Sequence, residues 1–109
     1  MYTDFKEYRW DGTLAYEGGI RDGLYFGTWR TYYPDGHLMY EGEFNGRQHG
    51  QGKLYYENGN LMYSGGFYKG RAHGRGILYN IDGSLVFCGE FDKGRALIEP
   101  EFTETNLIQ

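Results

Sequence analysis

The chain has 109 residues, 39% hydrophobic and 19% aromatic, enough for one folding unit and too rich in apolar side chains for a disordered segment. A net charge of −4 without a run of lysine and arginine gives no footprint for nucleic acid and little attraction to anionic lipid, and no apolar run nears the ~18 residues of a membrane span. The lone cysteine, Cys88, excludes an internal disulfide framework, and the opening residues lack a signal-peptide core, so a cytoplasmic protein is expected.

Strands are predicted at 4–10 and 13–20 around Asp11-Gly12, at 26–33 and 37–44 around Asp35-Gly36, at 50–57 and 60–67 around Asn58-Gly59, and at 74–81 and 84–91 around Asp82-Gly83. Such pairs between apolar runs signal a two-residue hairpin, in which both central residues take positive φ. After each pair comes an aromatic-x-Gly triplet: Tyr16-Glu17-Gly18, Tyr40-Glu41-Gly42, Tyr63-Ser64-Gly65 and Phe87-Cys88-Gly89, at intervals of 24, 23 and 24 residues. The chain is therefore a tandem repeat. A second turn series, Asp22-Gly23, Asn45-Gly46, Lys69-Gly70 and Lys93-Gly94, joins successive hairpins without crossovers. The shorter period loses its residue between Gly42 and Gly46, in a turn. The expected fold is all-β: an elongated single-layer antiparallel β-meander of hairpin repeats over residues 1–95. Residues 96–109 leave the repeat, and Leu97, Ile98, Phe102, Leu107 and Ile108 suit a tail that caps an open sheet edge.

With Asp35 and Gly36 as the turn, antiparallel partners sum to 71, which sets Arg30 against Glu41, Tyr32 against Met39 and Gly27 against Phe44. The same rule sets Lys6 against Glu17, Lys53 against Ser64, Arg75 against Glu90, and Gly50 and Gly74 against Phe67 and Phe91. Opposite charges fix the register, and rings are expected over the bare glycines.

One face then carries Leu38, Tyr40, Gly42 and Phe44, next Gly50, Gly52, Leu54 and Tyr56, then Leu61, Tyr63, Gly65 and Phe67. It reads as an aromatic trough with glycine holes. Gly52 meets Gly65 and Gly76 meets Gly89, so the trough is expected to be emptier toward the C-terminal end, where Tyr63, Phe67, Phe87 and Phe91 flank a groove for an extended peptide or a helix edge. The opposite face carries Tyr8, Tyr32, Tyr55 and Tyr79 beside Met39, Met62 and Val86, and tyrosine offers stiff, amphipathic contact area at low entropic cost. The plain alternatives are that the trough residues are core and that the tyrosines steady half-exposed strands.

Catalytic chemistry finds no constellation. His49 and His73 lie at equivalent points two strands apart, Cys88 faces Ile77 with no histidine beside it, and Glu17, Glu41 and Glu90 each face a base. No catalytic residue, metal ligand or cofactor site is expected.

The stretches Tyr40-Glu41-Gly42-Glu43-Phe44-Asn45-Gly46 with Arg47 to Gly52, and Tyr63-Ser64-Gly65-Gly66-Phe67 through Gly76, resemble the MORN (membrane occupation and recognition nexus) repeat. Tyr32 to Leu38 and Tyr55 to Leu61 resemble a variant of it found in bacterial proteins, some of them antitoxins. The resemblance implies a non-catalytic module that binds a protein partner or itself, through the trough or the tyrosine row. Two further readings remain, an antitoxin or immunity protein occluding a cognate toxin and peripheral binding to anionic lipid.

Overall fold

A computed structural model of the chain describes residues 2–97, and all regular structure among them is β. Nine strands follow one another in sequence order across a single antiparallel sheet: β1 (Tyr2–Tyr8), β2 (Leu14–Arg21), β3 (Leu24–Tyr32), β4 (Leu38–Asn45), β5 (Arg47–Tyr55), β6 (Leu61–Tyr68), β7 (Arg71–Tyr79), β8 (Leu85–Asp92) and β9 (Arg95–Ala96). The single-layer meander and its eight principal strands match the sequence reading; the two-residue β9 was not foreseen. Beyond Leu97, the expected edge-capping tail lies outside the described residues.

The first turn series does not have the two-residue form expected of it, and most of the second series does. At Asp35-Gly36 only the glycine has positive φ, the Tyr33 carbonyl accepts from the Gly36 N–H at 2.9 Å, and the Tyr33 N–H donates to the His37 carbonyl at 2.8 Å. That is a three-residue loop closed by a left-handed glycine, and Asp35 steadies it by accepting from the His37 N–H. The equivalent bonds recur at Arg9–Thr13, Tyr56–Asn60 and Asn80–Ser84. Two-residue turns with both centres at positive φ occur instead at Asp22-Gly23, Lys69-Gly70 and Lys93-Gly94. Asn45 and Arg47 pair directly around Gly46, so the shorter period does lose its residue in a turn.

A three-residue loop displaces the register by one, yet Arg30 still faces Glu41 and Gly27 still faces Phe44. A bulge restores the count: Thr31 pairs with Tyr40 and Tyr32 with Leu38, leaving Met39 as the extra residue. Ala15, Met62 and Val86 are the equivalent extras. The expected pairing of Tyr32 with Met39 therefore fails, and Leu38 and Leu61 stand opposite Tyr32 and Tyr55 rather than joining the trough.

A one-layer sheet has no second layer to bury its apolar face, so aromatic rings must shield one another. Trp29, Tyr40, Tyr63, Phe67 and Phe91 are buried, with Phe44, Leu54, Leu78 and Phe87 packed partly against them. From Phe44 through Tyr40, Phe67, Tyr63 and Phe91 to Phe87, successive centroids lie 5.6, 5.5, 5.2, 5.1 and 5.4 Å apart, every contact edge-to-face. Each such contact contributes roughly 0.5–1.5 kcal/mol beyond burial. Trp29, 5.7 Å from Phe44, carries the rings on toward the N-terminal strand, with Tyr25, Tyr16 and Phe5 at 4.3, 5.8 and 6.5 Å, and its indole N–H donates to the buried Gly19 carbonyl at 2.8 Å.

Candidate interaction surfaces

The trough is filled from within. A methyl group at Gly52 would stand 2.4 Å from the Tyr40 hydroxyl, and one at Gly76 would stand 2.4 Å from that of Tyr63. At Gly65 it would meet the Arg75 carbonyl at 2.5 Å, and at Gly89 the Phe87 ring at 2.9 Å. The Tyr40 and Tyr63 hydroxyls donate to the carbonyls of Glu43 and Gly66. Tyr63, Phe67, Phe87 and Phe91 are thus ladder members that meet edge-to-face where a groove was expected, and a methyl group would press less closely on its covering ring at Gly89, under Phe87, than at Gly18, under Trp29. The rings that cover Gly42, Gly52, Gly65, Gly76 and Gly89 come from the aromatic-x-Gly triplets, not from the phenylalanines expected across the strand, whereas Gly18 lies under Trp29 from the facing strand and Gly19 under Tyr2. Gly74, opposite Phe91, has open space around it and a φ of +81°, so backbone conformation is what calls for its glycine.

The opposite face is the accessible one. Tyr32, Tyr55 and Tyr79 are half-buried and pair across strands with Leu38, Leu61 and Leu85. The bulges turn the tyrosine row into an alternating Tyr–Leu row whose ends, Tyr8 and Leu85, are 54% and 61% exposed. Tyr32 is held by donating to the Glu17 carboxylate at 2.5 Å, and burial followed by that bond pushes its pKa up to about 12. Beside this row the strands align Lys6, Glu17, Arg30, Glu41 and Lys53, with ion pairs of 4.0 Å for Lys6–Glu17 and 2.8 Å for Arg30–Glu41. The Arg75–Glu90 pair also forms, at 3.4 Å. Exposed pairs contribute little energy, so their effect is chiefly on register.

Sequence reasoning missed the staples between hairpin tips. The Tyr33 hydroxyl donates to the Tyr55 carbonyl at 2.6 Å and the Tyr56 hydroxyl to the Tyr79 carbonyl at 2.7 Å. Arg9, at the equivalent position, donates to the Tyr32 carbonyl at 2.5 Å. His37 Nδ1 lies 2.7 Å from the Glu57 carbonyl, and Asn60 Nδ2 donates to the Ile81 carbonyl at 2.9 Å. The signal was present in the recurrence of Tyr33 and Tyr56 one repeat apart.

At the other end of the strands, Arg47, Tyr68, Lys69, Arg71, His73 and Lys93 line an open cleft of about 390 Å³. These lysines and arginines form no run in the sequence, but the repeat brings them to one edge. His49 and His73 flank the Tyr68 ring at 5.5 and 5.7 Å and do not meet each other in a shared site. Cys88 is exposed and faces Ile77. Among the described residues no group of three or more His, Cys, Asp or Glu is placed to hold a metal ion.

The family described as MORN repeat matches residues 40–61 and 63–85, and the MORN repeat variant matches residues 27–45. Together these segments take in more than half of the chain. No curated protein matches it.

Proposed function

Because the chain belongs to the MORN repeat family, whose members are commonly protein or lipid interaction modules and generally non-catalytic, we propose that it is a non-enzymatic protein-interaction module docking its partner on the Tyr–Leu row. The observation that carries this reading is the division of labour between the two faces. Among the described residues, all five buried aromatic side chains belong to the ladder and Trp29, while Tyr55 and Tyr79 stay half-buried among leucines on the accessible face. Tyrosine beside leucine on rigid strands supplies desolvatable area with hydroxyls at its rim, the composition of an interface centre.

The test is affinity capture from the native source by the full chain and by Tyr55→Ala with Tyr79→Ala, with molecular mass measured in parallel. Loss of a stoichiometric partner, or of self-association, by a variant that keeps its β circular dichroism is expected. Equal recovery by both chains rejects this face.

A further inference from the structure

The basic cleft opens at the turn end of β5 to β9, away from the hairpin tips that carry the Tyr–Leu row. In strand order Arg47 stands at one side, Tyr68, Lys69, Arg71 and His73 in the middle, and Lys93 at the other. Among the described residues none of Arg47, Lys69, Arg71 or Lys93 makes a salt bridge; the nearby carboxylate, Asp92, stands 3.5 Å from His73 Nδ1. Four cations thus converge on a concavity with a 48% exposed tyrosine ring at its centre, and the Lys69 ammonium lies over that ring at 5.3 Å.

A second observation is independent of charge. Lys69 and Lys93 occupy the first central position of two-residue turns at φ of 51° and 52°. Asparagine or glycine fits that left-handed conformation better than a long side chain does. Both strained lysines belong to the cleft. Asp22 takes the same angle, 51°, in the equivalent turn outside the cleft, but aspartate visits that conformation far more readily than lysine, so only the two lysines call for a reason beyond the fold.

We propose that this cleft is an anion-recognition site that takes a short acidic segment of a protein partner, with an apolar or aromatic residue of the segment against Tyr68. The guanidinium forks of Arg47 and Arg71 suit carboxylates, and the ring supplies apolar contact that a bare anion cannot use. Extended polyanions fit poorly. Outside the four cations, the described residues hold seven basic against twelve acidic side chains, a balance of −5 that repels a nucleic acid or an anionic membrane lying along the sheet. A short segment confined to the cleft avoids that field. The proposal shares with the Tyr–Leu row only the premise that the partner is a protein.

The experiment titrates the full chain with a short fluorescein-labelled peptide of alternating glutamate and phenylalanine, at low and at physiological salt. Its glutamine counterpart, oligothymidylate and phosphatidylserine vesicles serve as comparisons. Binding of the glutamate peptide alone is expected, weakening with salt and by about three- to tenfold in Lys69→Asn with Lys93→Asn. Because asparagine suits those turns, the variant's urea midpoint should be unchanged or higher, which separates lost affinity from lost fold. Tyr55→Ala should bind the peptide normally, so failure of the Tyr–Leu row leaves this test standing. No binding by the intact chain, or equal binding by the double variant, overturns the proposal. So does tighter binding of oligonucleotide or vesicles with the same loss in the variant, which gives the cleft to that polyanion.

Discussion

At the scale of single residues, the glycines divide into those demanded by space and those demanded by backbone angle. Gly42 is of the first kind: a methyl group there would stand 2.5 Å from the Gly52 Cα, 2.5 Å from the Tyr40 hydroxyl and 2.7 Å from the Gln51 carbonyl. Two of those atoms are backbone of the next strand and the third belongs to a buried ring, so none can yield without parting strands or breaking the ladder. Gly74 is of the second kind, with nothing within 4 Å but a φ of +81°. Gly42→Ala should lower stability by about 3 kcal/mol or more, as overpacking does, and Gly74→Ala by about 1–2 kcal/mol, the cost of a left-handed side chain. Urea unfolding of both variants checks the order. A Gly74 variant that is the more damaged would mean that ring-on-glycine contact does not govern the packing.

At the scale of the element, the repeat was legible and its turn chemistry was only half so. Periodic Tyr40, Tyr63 and Phe87 gave the strands, and Arg30 with Glu41 gave the register, because period-2 alternation and cross-strand charge are written in the residues themselves. What could not be read was the pairing of two opposite irregularities. The three-residue loop at Pro34-Asp35-Gly36 and the bulge at Met39 cancel, so the wrong turn type still yields the right partners from Thr31 and Tyr40 outward. Inside the bulge the error shows, and it moves Leu38 and Leu61 to the accessible face. The basic cleft was hidden for another reason: Arg47, the Lys69–Arg71 pair and Lys93 are separated by 22 residues each and meet only once the turns stack.

The staples at the hairpin tips belong to the same scale, because each ties one repeat to the next. Tyr56→Phe removes the donor to the Tyr79 carbonyl and keeps the ring, so a loss of about 1 kcal/mol is expected. Hydrogen exchange should quicken in the hairpin around Asp82-Gly83 and remain unchanged around Asp35-Gly36, since neighbouring repeats are coupled and distant ones are not. Uniform quickening across the sheet would show instead that the repeats unfold as one unit.

For the whole molecule, an aromatic interior that includes buried tyrosines predicts how the fold fails in base. Tyr16, through its hydrogen bond with Tyr25 and then burial, has its pKa pushed up to about 12, as does Tyr32 through burial and then its bond to Glu17. Burial also raises those of Tyr40 and Tyr63. These residues span the sheet from β2 to β6, so the alkaline transition is a property of the molecule and not of one site. A phenol whose pKa is higher folded than unfolded holds its proton more tightly in the native state. Its stabilising contribution is complete below the ordinary tyrosine value of about 10 and is lost as pH climbs from there through the folded value. The urea midpoint should therefore be level with respect to these groups up to about pH 9 and fall steeply above 10. Phenolate absorbance from the ladder tyrosines should rise together with the loss of β circular dichroism, since a charged Tyr40 or Tyr63 has no place among edge-on rings. If all twelve tyrosines ionise near pH 10 while the sheet stays intact, the rings are open to water and the ladder is not the core.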